Sequence, residues 1–167
     1  LAAYKMLEER AAREVTYILD IGGINLETGK TLGEDFDLSD LRRDYDAVFI
    51  GLGQNTVNAL DMENESVDGV YNAVDYIELR RQQDLSTLNV GRQVVVSGGG
   101  NTAIDMAVQL KKLGAESVTI VYRRGLDDRG ATVYEQQVAQ TNGVLIRTHA
   151  QPHRILSEGG QLSAVEF

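Results

Sequence analysis

The sequence predicts an α/β fold built on a parallel sheet, and three observations carry that expectation. An apolar run, Gln93 to Ser97, closes on glycines and a small residue spaced G-x-G-x-x-A at Gly98, Gly100 and Ala103. The next segment has Ala103, Ile104, Ala107, Val108 and Leu113 on one broad face, with Asp105, Gln109, Lys111 and Lys112 opposite, and stops at Gly114. A β-branched run, Ser117 to Arg123, then reads as a second buried strand. Strand, turn, helix and strand together take about thirty residues, the length of one Rossmann-like βαβ unit.

Each position of the turn has a physical reason. Gly98 lets the chain reverse, Gly100 offers no side chain to hold a pyrophosphate off the backbone, and Ala103 is small enough for helix and strand to pack closely. Asn101 is the predicted N-cap. A pyrophosphate on this turn would meet free amides and the positive end of the helix dipole. The expected cofactor-binding residues are therefore Gly98, Gly99, Gly100, Asn101, Thr102 and Ala103. A structural glycine turn that binds nothing is the bland alternative.

The second strand ends in Arg123-Arg124, with no acid at its tip. A site that prefers NAD(H) places Asp or Glu about twenty residues beyond the glycines to hold the ribose 2′-hydroxyl, whereas a 2′-phosphate needs a cation. Guanidinium groups grip phosphate in a bidentate fashion, so NADP(H) is favoured over NAD(H). Alternatively both arginines form a solvated strand end, neutralised by Asp127 and Asp128.

Composition bounds the partners. The 167 residues are 43% hydrophobic, enough for one good core or two small ones. A net charge of -9 argues against nucleic acid and anionic membrane surfaces. With no apolar run near eighteen residues and no secretory signal, a cytoplasmic location is expected. The absence of cysteine excludes disulfides and thiolate-held iron–sulfur clusters within this chain. His149 and His153 are separated by Pro152, which disfavours a helix that would align them, so no metal site is expected.

Elsewhere the pattern predicts a helix over 2–13, short strands over 16–19 and 24–26, a turn at Thr28-Gly29, and one or two helical turns over 38–43. Asp46 to Gly53 reads as another apolar strand closing on glycines, and 54–69 as a polar connection. A helix over 70–81 leads to the nucleotide unit. A helix over 133–142, a strand over 144–147 and a C-terminal β-hairpin, 154–157 with 161–167 turning at Gly159-Gly160, complete the chain.

Four stretches, Tyr45 to Gly53, Gly69 to Ile77, Val96 to Asp105 and Val118 to Arg124, resemble the central part of the glutamate synthase small subunit and its relatives. Tyr134 to Gln136, Thr141 to Val144 and Ala150 to Pro152 are more similar to the flavin subunit of dihydropyrimidine dehydrogenase. The resemblance runs from about Gly22 to Phe167 and implies two cooperating domains, one for FAD and one, inserted in it, for NAD(P)H. It makes residues 1–58 a partial FAD-domain segment with its crossover, in which Gly51 and Gly53 approach the flavin. Residues 59–167 become the NAD(P)H domain. The family's first flavin glycine motif and its last flavin-contacting segment are not in this sequence, which implies a piece of a longer parent, unable to turn over alone. Gly51-Leu52-Gly53 replaces a more usual Ala-x-Gly ending, and Asp128-Arg129-Gly130 stands where relatives carry Met-Pro, leaving Arg129 either a third phosphate ligand or a surface charge.

By the same resemblance, hydride passes from NAD(P)H to FAD in the full-length parent, and electrons leave for an iron–sulfur or catalytic subunit. No nucleophile is needed, and no catalytic residue is assigned. Asp105 is expected to stabilise the first turns of its helix, while Glu135 is the candidate acid for the nicotinamide carboxamide. A short-chain dehydrogenase would carry Lys four residues after Tyr122 or Tyr134, and neither position has one. A methyltransferase would end its second strand in an acid rather than Arg123. A non-catalytic module that senses pyridine nucleotide remains the alternative function.

Overall fold

The computed structural model describes residues 2, 4–53, 59–82, 90–125, 127–128 and 130–167, with the side chains of 80–82 excepted. The chain divides into two compact units: Leu1–Leu7 with Val57–Phe167, and Glu8–Thr56.

In the first unit, helix α3 (Ala73–Gln82) precedes strand β1 (Gln93–Ser97), helix α4 (Asn101–Lys112), strand β2 (Ser117–Tyr122), helix α5 (Val133–Thr141) and strand β3 (Leu145–Thr148). The three strands form a parallel sheet in the order β1-β2-β3, with Val94 opposite Val118 and Ile120 opposite Ile146. This is the βαβ unit the sequence predicts, extended by a third strand. A hairpin, β4 (Arg154–Glu158) and β5 (Gln161–Glu166), forms a separate antiparallel sheet. It turns at Gly159 (φ +59°) and Gly160 (φ +83°), the positive-φ pair that a tight hairpin turn requires.

The core lies between the sheet and its helices, around Val96, Ile104, Val108, Val118, Ile120 and Val144. Helix α4 is covered more completely than its amphipathic pattern predicts, because every residue from Ala103 to Leu110 is buried. Asp105 and Gln109, expected on a polar face, are only 7% and 6% exposed. The sheet takes one side of α4, while α3, α5 and the Tyr4-Lys5 segment take the others.

The second unit contains helix α1 (Glu8–Asp20) and helix α2 (Leu38–Asp44). The strand predicted over 16–19 is instead the last turns of α1. Glu8 and Glu9 complement its N-terminal dipole, and Ala11, Ala12, Val15, Ile18 and Leu19 repeat at helical spacing, which outweighs the β-branched Val15, Thr16 and Ile18. Residues 24–26 form no strand either, and neither do 46–53, where Phe49 is 95% exposed. A parallel strand needs a neighbour to pair its amides and carbonyls. Among the described residues of this unit there is no sheet to receive one. No described helix is long and apolar enough to cross a membrane.

Candidate functional site

The glycine turn between β1 and α4 assigns a different task to each of its small residues. Gly98 adopts φ +147°, open to glycine alone, while its amide donates to Val121 O at 3.0 Å, holding the turn on the neighbouring strand. A Cβ there would lie 3.3 Å from Ala103 Cβ, so Ala103 packs close under the turn as its small size predicts.

At Gly99 a side chain would run into the Tyr122 ring, 2.5 Å from Cδ2 and 2.7 Å from Cζ. Gly99 is thus a packing requirement, a role the spacing alone does not reveal. Tyr122 Oη donates to Asp128 O at 2.8 Å, and the Ala131 amide donates to Gly99 O at 3.0 Å. Together these bonds bring the loop after β2 back onto the turn, where a Cβ on Gly130 would lie 3.9 Å from Gly100 Cα.

Gly100 is the opposite case, since a Cβ there would meet nothing within 4 Å. It is also the N-cap of α4, a role the sequence assigned to Asn101, which instead begins the helix with its side chain exposed. Gly100 O accepts from Ala103 and Ile104 at 3.1 and 3.3 Å. The amides of Gly100, Asn101 and Thr102 find no acceptor among the described residues. Open space beside unpaired amides at a helix N-terminus is an anion-binding arrangement.

Arg123 and Arg124 lie exposed just beyond β2, and neither joins an ion pair among the described residues. Asp127 and Asp128 therefore do not neutralise them by direct contact. Arg129 lies outside the described residues. Gly51 and Gly53 belong to the other compact unit, where a Cβ on Gly51 would lie 3.1 Å from the Phe49 ring and one on Gly53, at φ +72°, would meet nothing within 4 Å.

A buried charge cluster escapes the sequence altogether. Lys5 Nζ lies 2.6 Å from Asp105 Oδ1 and 2.8 Å from Glu135 Oε1, and Tyr4 Oη donates to Asp105 Oδ1 at 2.9 Å. The carboxylate expected to serve the first turns of α4 is engaged by the chain's N-terminal segment instead. Burial, then the hydrogen bond and charge of Asp105, push the Tyr4 phenol well above its usual range. Burial works against the Lys5 ammonium, but its bonds to Asp105 and Glu135 outweigh it and raise Lys5 above the ordinary lysine value. Glu135 Oε2 is buried without a hydrogen-bond partner among the described residues.

Along the free edge of β1 runs a separate apolar trough of about 410 Å³, lined by Tyr71, Val94, Ser97, Met106, Pro152 and Leu162 among others.

The model of the pyridine nucleotide-disulphide oxidoreductases matches residues 3–166. The chain is 32% identical to the glutamate synthase [NADPH] small chain of Escherichia coli (strain K12), across all of this chain and 37% of that one. It is 31% identical to the NAD-dependent dihydropyrimidine dehydrogenase subunit PreT of Salmonella typhimurium, across 87% of this chain and 35% of that one. The chain thus spans about a third of the length of these relatives. Mycobacterium tuberculosis FprA in complex with NADPH has the same fold, with a TM-score of 0.67 at 17% identity, covering 99% of this chain and 56% of that one.

Proposed function

Because the chain belongs to the pyridine nucleotide-disulphide oxidoreductase family, we propose that its nucleotide unit binds NADP(H) on the Gly98 to Ala103 turn and presents it to FAD held by a longer parent. The supporting observation is the open face of Gly100 beside amides that lack an acceptor. A dinucleotide's pyrophosphate fits there, where a side chain would exclude it. Held there, NAD(P)H would supply a hydride and FAD would accept it. The chain's own residues bind and orient. Amides of the turn hold the pyrophosphate, Arg123 and Arg124 hold the 2′-phosphate, and Glu135 Oε2, a buried acceptor without a partner, is suited to a carboxamide N–H.

In this reading residues 1–58 carry a segment of the flavin side, with Gly51 and Gly53 facing FAD, and 59–167 form the nicotinamide side. Electrons leave the parent for another domain or subunit. The relatives' names divide over the nucleotide, NADPH in one and NAD in the other, so the choice rests on the strand end. Arg123 and Arg124 stand where a phosphate needs cations, with no direct carboxylate partner among the described residues.

Titration calorimetry with NADPH and NADH, on the wild type and on an Arg123→Ala, Arg124→Ala double variant, tests the assignment. Losing two charge-assisted contacts weakens NADPH by roughly 2–4 kcal/mol and leaves NADH nearly unchanged. Equal losses for both nucleotides refute it.

A further inference from the structure

We propose that His149, at the end of β3, is a third ligand of the 2′-phosphate and a determinant of NADP(H) selectivity, a role that rests on the nucleotide site proposed above. In a parallel sheet the C-terminal ends of adjacent strands open on the same rim, and β2 and β3 are adjacent. The His149 amide donates to Arg124 O and the Ala150 amide to Tyr122 O, both at 3.2 Å, which fixes the residue after β3 beside the tip of β2. To make those bonds His149 takes φ +52°, a left-handed conformation uncommon outside glycine and held here by its surroundings.

The imidazole lies against Gly125. A Cβ on that glycine would be 3.5 Å from His149 Cε1 and 3.6 Å from Nε2, ordinary contact distances that place the ring beside the backbone at Gly125. His149 is exposed, and neither ring nitrogen has a hydrogen-bond partner among the described residues. Arg123, Arg124 and His149 therefore bring three side chains able to donate to an anion, none of them bonded among the described residues, to one rim of a chain whose net charge is -9. A 2′-phosphate is the part of a dinucleotide that reaches the end of the second strand.

Asp128 is the opposing charge. Its Oδ2 lies 3.6 Å from the same Cβ position on Gly125, so it repels a phosphate and accepts from a ribose hydroxyl. With the arginines alone the rim already favours phosphate. The imidazole beside Asp128 supplies a donor on the face where that carboxylate would otherwise act unopposed.

The test is calorimetric titration of the full chain with NADPH, NADH and 2′,5′-ADP, for the wild type, His149→Asn and His149→Gly. Asparagine and glycine both accept the left-handed backbone, which separates the ring from the fold. Both variants should bind NADPH and 2′,5′-ADP about tenfold more weakly, with NADH within about twofold of wild type. Equal weakening of NADPH and NADH would mean that the ring touches the adenine instead and would overturn the proposal. Unchanged binding of all three would overturn it too. If the arginine double variant still loses NADPH selectively in that case, the nucleotide site stands without His149. If neither change affects NADPH, the strand end is not the phosphate site.

Discussion

A Gly100→Val variant is expected to fold and to bind no pyridine nucleotide. Gly100 has φ -97° and ψ 175°, extended backbone that valine adopts readily, and its Cβ would meet no atom within 4 Å. Losing glycine as the N-cap costs about 1 kcal/mol at most. The space a valine fills is the space a pyrophosphate needs, so NADPH affinity should fall by about a hundredfold or more, equal to about 2.7 kcal/mol. Gly99→Val, one residue earlier, should behave in the opposite way. Its side chain meets the Tyr122 ring and forces the turn or the ring to move, an overpacking cost of about 1–3 kcal/mol. Thermal unfolding followed by circular dichroism, paired with calorimetry, separates the two. Native melting without binding for Gly100→Val, and a lowered melting temperature for Gly99→Val, are expected. A Gly100→Val protein that still binds NADPH within threefold of wild type would remove the turn from the site.

The largest expected effect on stability comes from Lys5→Met. The Lys5, Asp105 and Glu135 side chains are 23%, 11% and 14% exposed, so removing the ammonium leaves two largely buried carboxylates facing each other without a cation. Breaking such a pair from one side costs about 3 kcal/mol. Lys5→Met combined with Asp105→Asn and Glu135→Gln removes every charge and should recover at least half of that loss. Urea unfolding at neutral pH measures both. The pH dependence has a definite sign. A lysine whose folded value is raised above its usual 10.5 contributes stability that is fully present below that value and is lost as pH rises through the folded one. The gap between wild type and Lys5→Met should therefore be constant through neutral pH and narrow only in strong alkali. A single variant as stable as wild type would make the cluster energetically idle.

These residues also mark what the sequence can express. The glycine turn, α4, β2, α5 and the hairpin are legible because their signals are local: a spacing, a face, a pair of turn glycines. Asp46 to Gly53 is legible only as an apolar run, since a strand exists only where another strand accepts its hydrogen bonds. Val15 to Leu19 misleads because β-branched residues favour strands in isolation, while their spacing with Ala11 and Ala12 completes a helix. Tyr4 and Lys5 lie 101 and 130 residues from their partners, so no pattern in the sequence joins them. The burial of Asp105 follows from the same contact. Gly99 and His149 are hidden for a related reason: Tyr122 comes against Gly99, and His149 beside Arg124, only when the parallel strands align. Arg123 and Arg124 were legible as cations at a strand end, and only the fold places His149 beside them.

The central claim is that the turn from Gly98 to Ala103 receives the pyrophosphate of a pyridine nucleotide. Titration of the ¹⁵N-labelled chain with NADPH, followed through its amide resonances, tests it residue by residue. The account predicts that the amides of Gly99, Gly100, Asn101 and Thr102 shift most, with Arg124 and His149 next, because bound phosphate oxygens would accept directly from the turn. Largest shifts around the trough lined by Val94, Met106 and Leu162, with the turn unmoved, would contradict it.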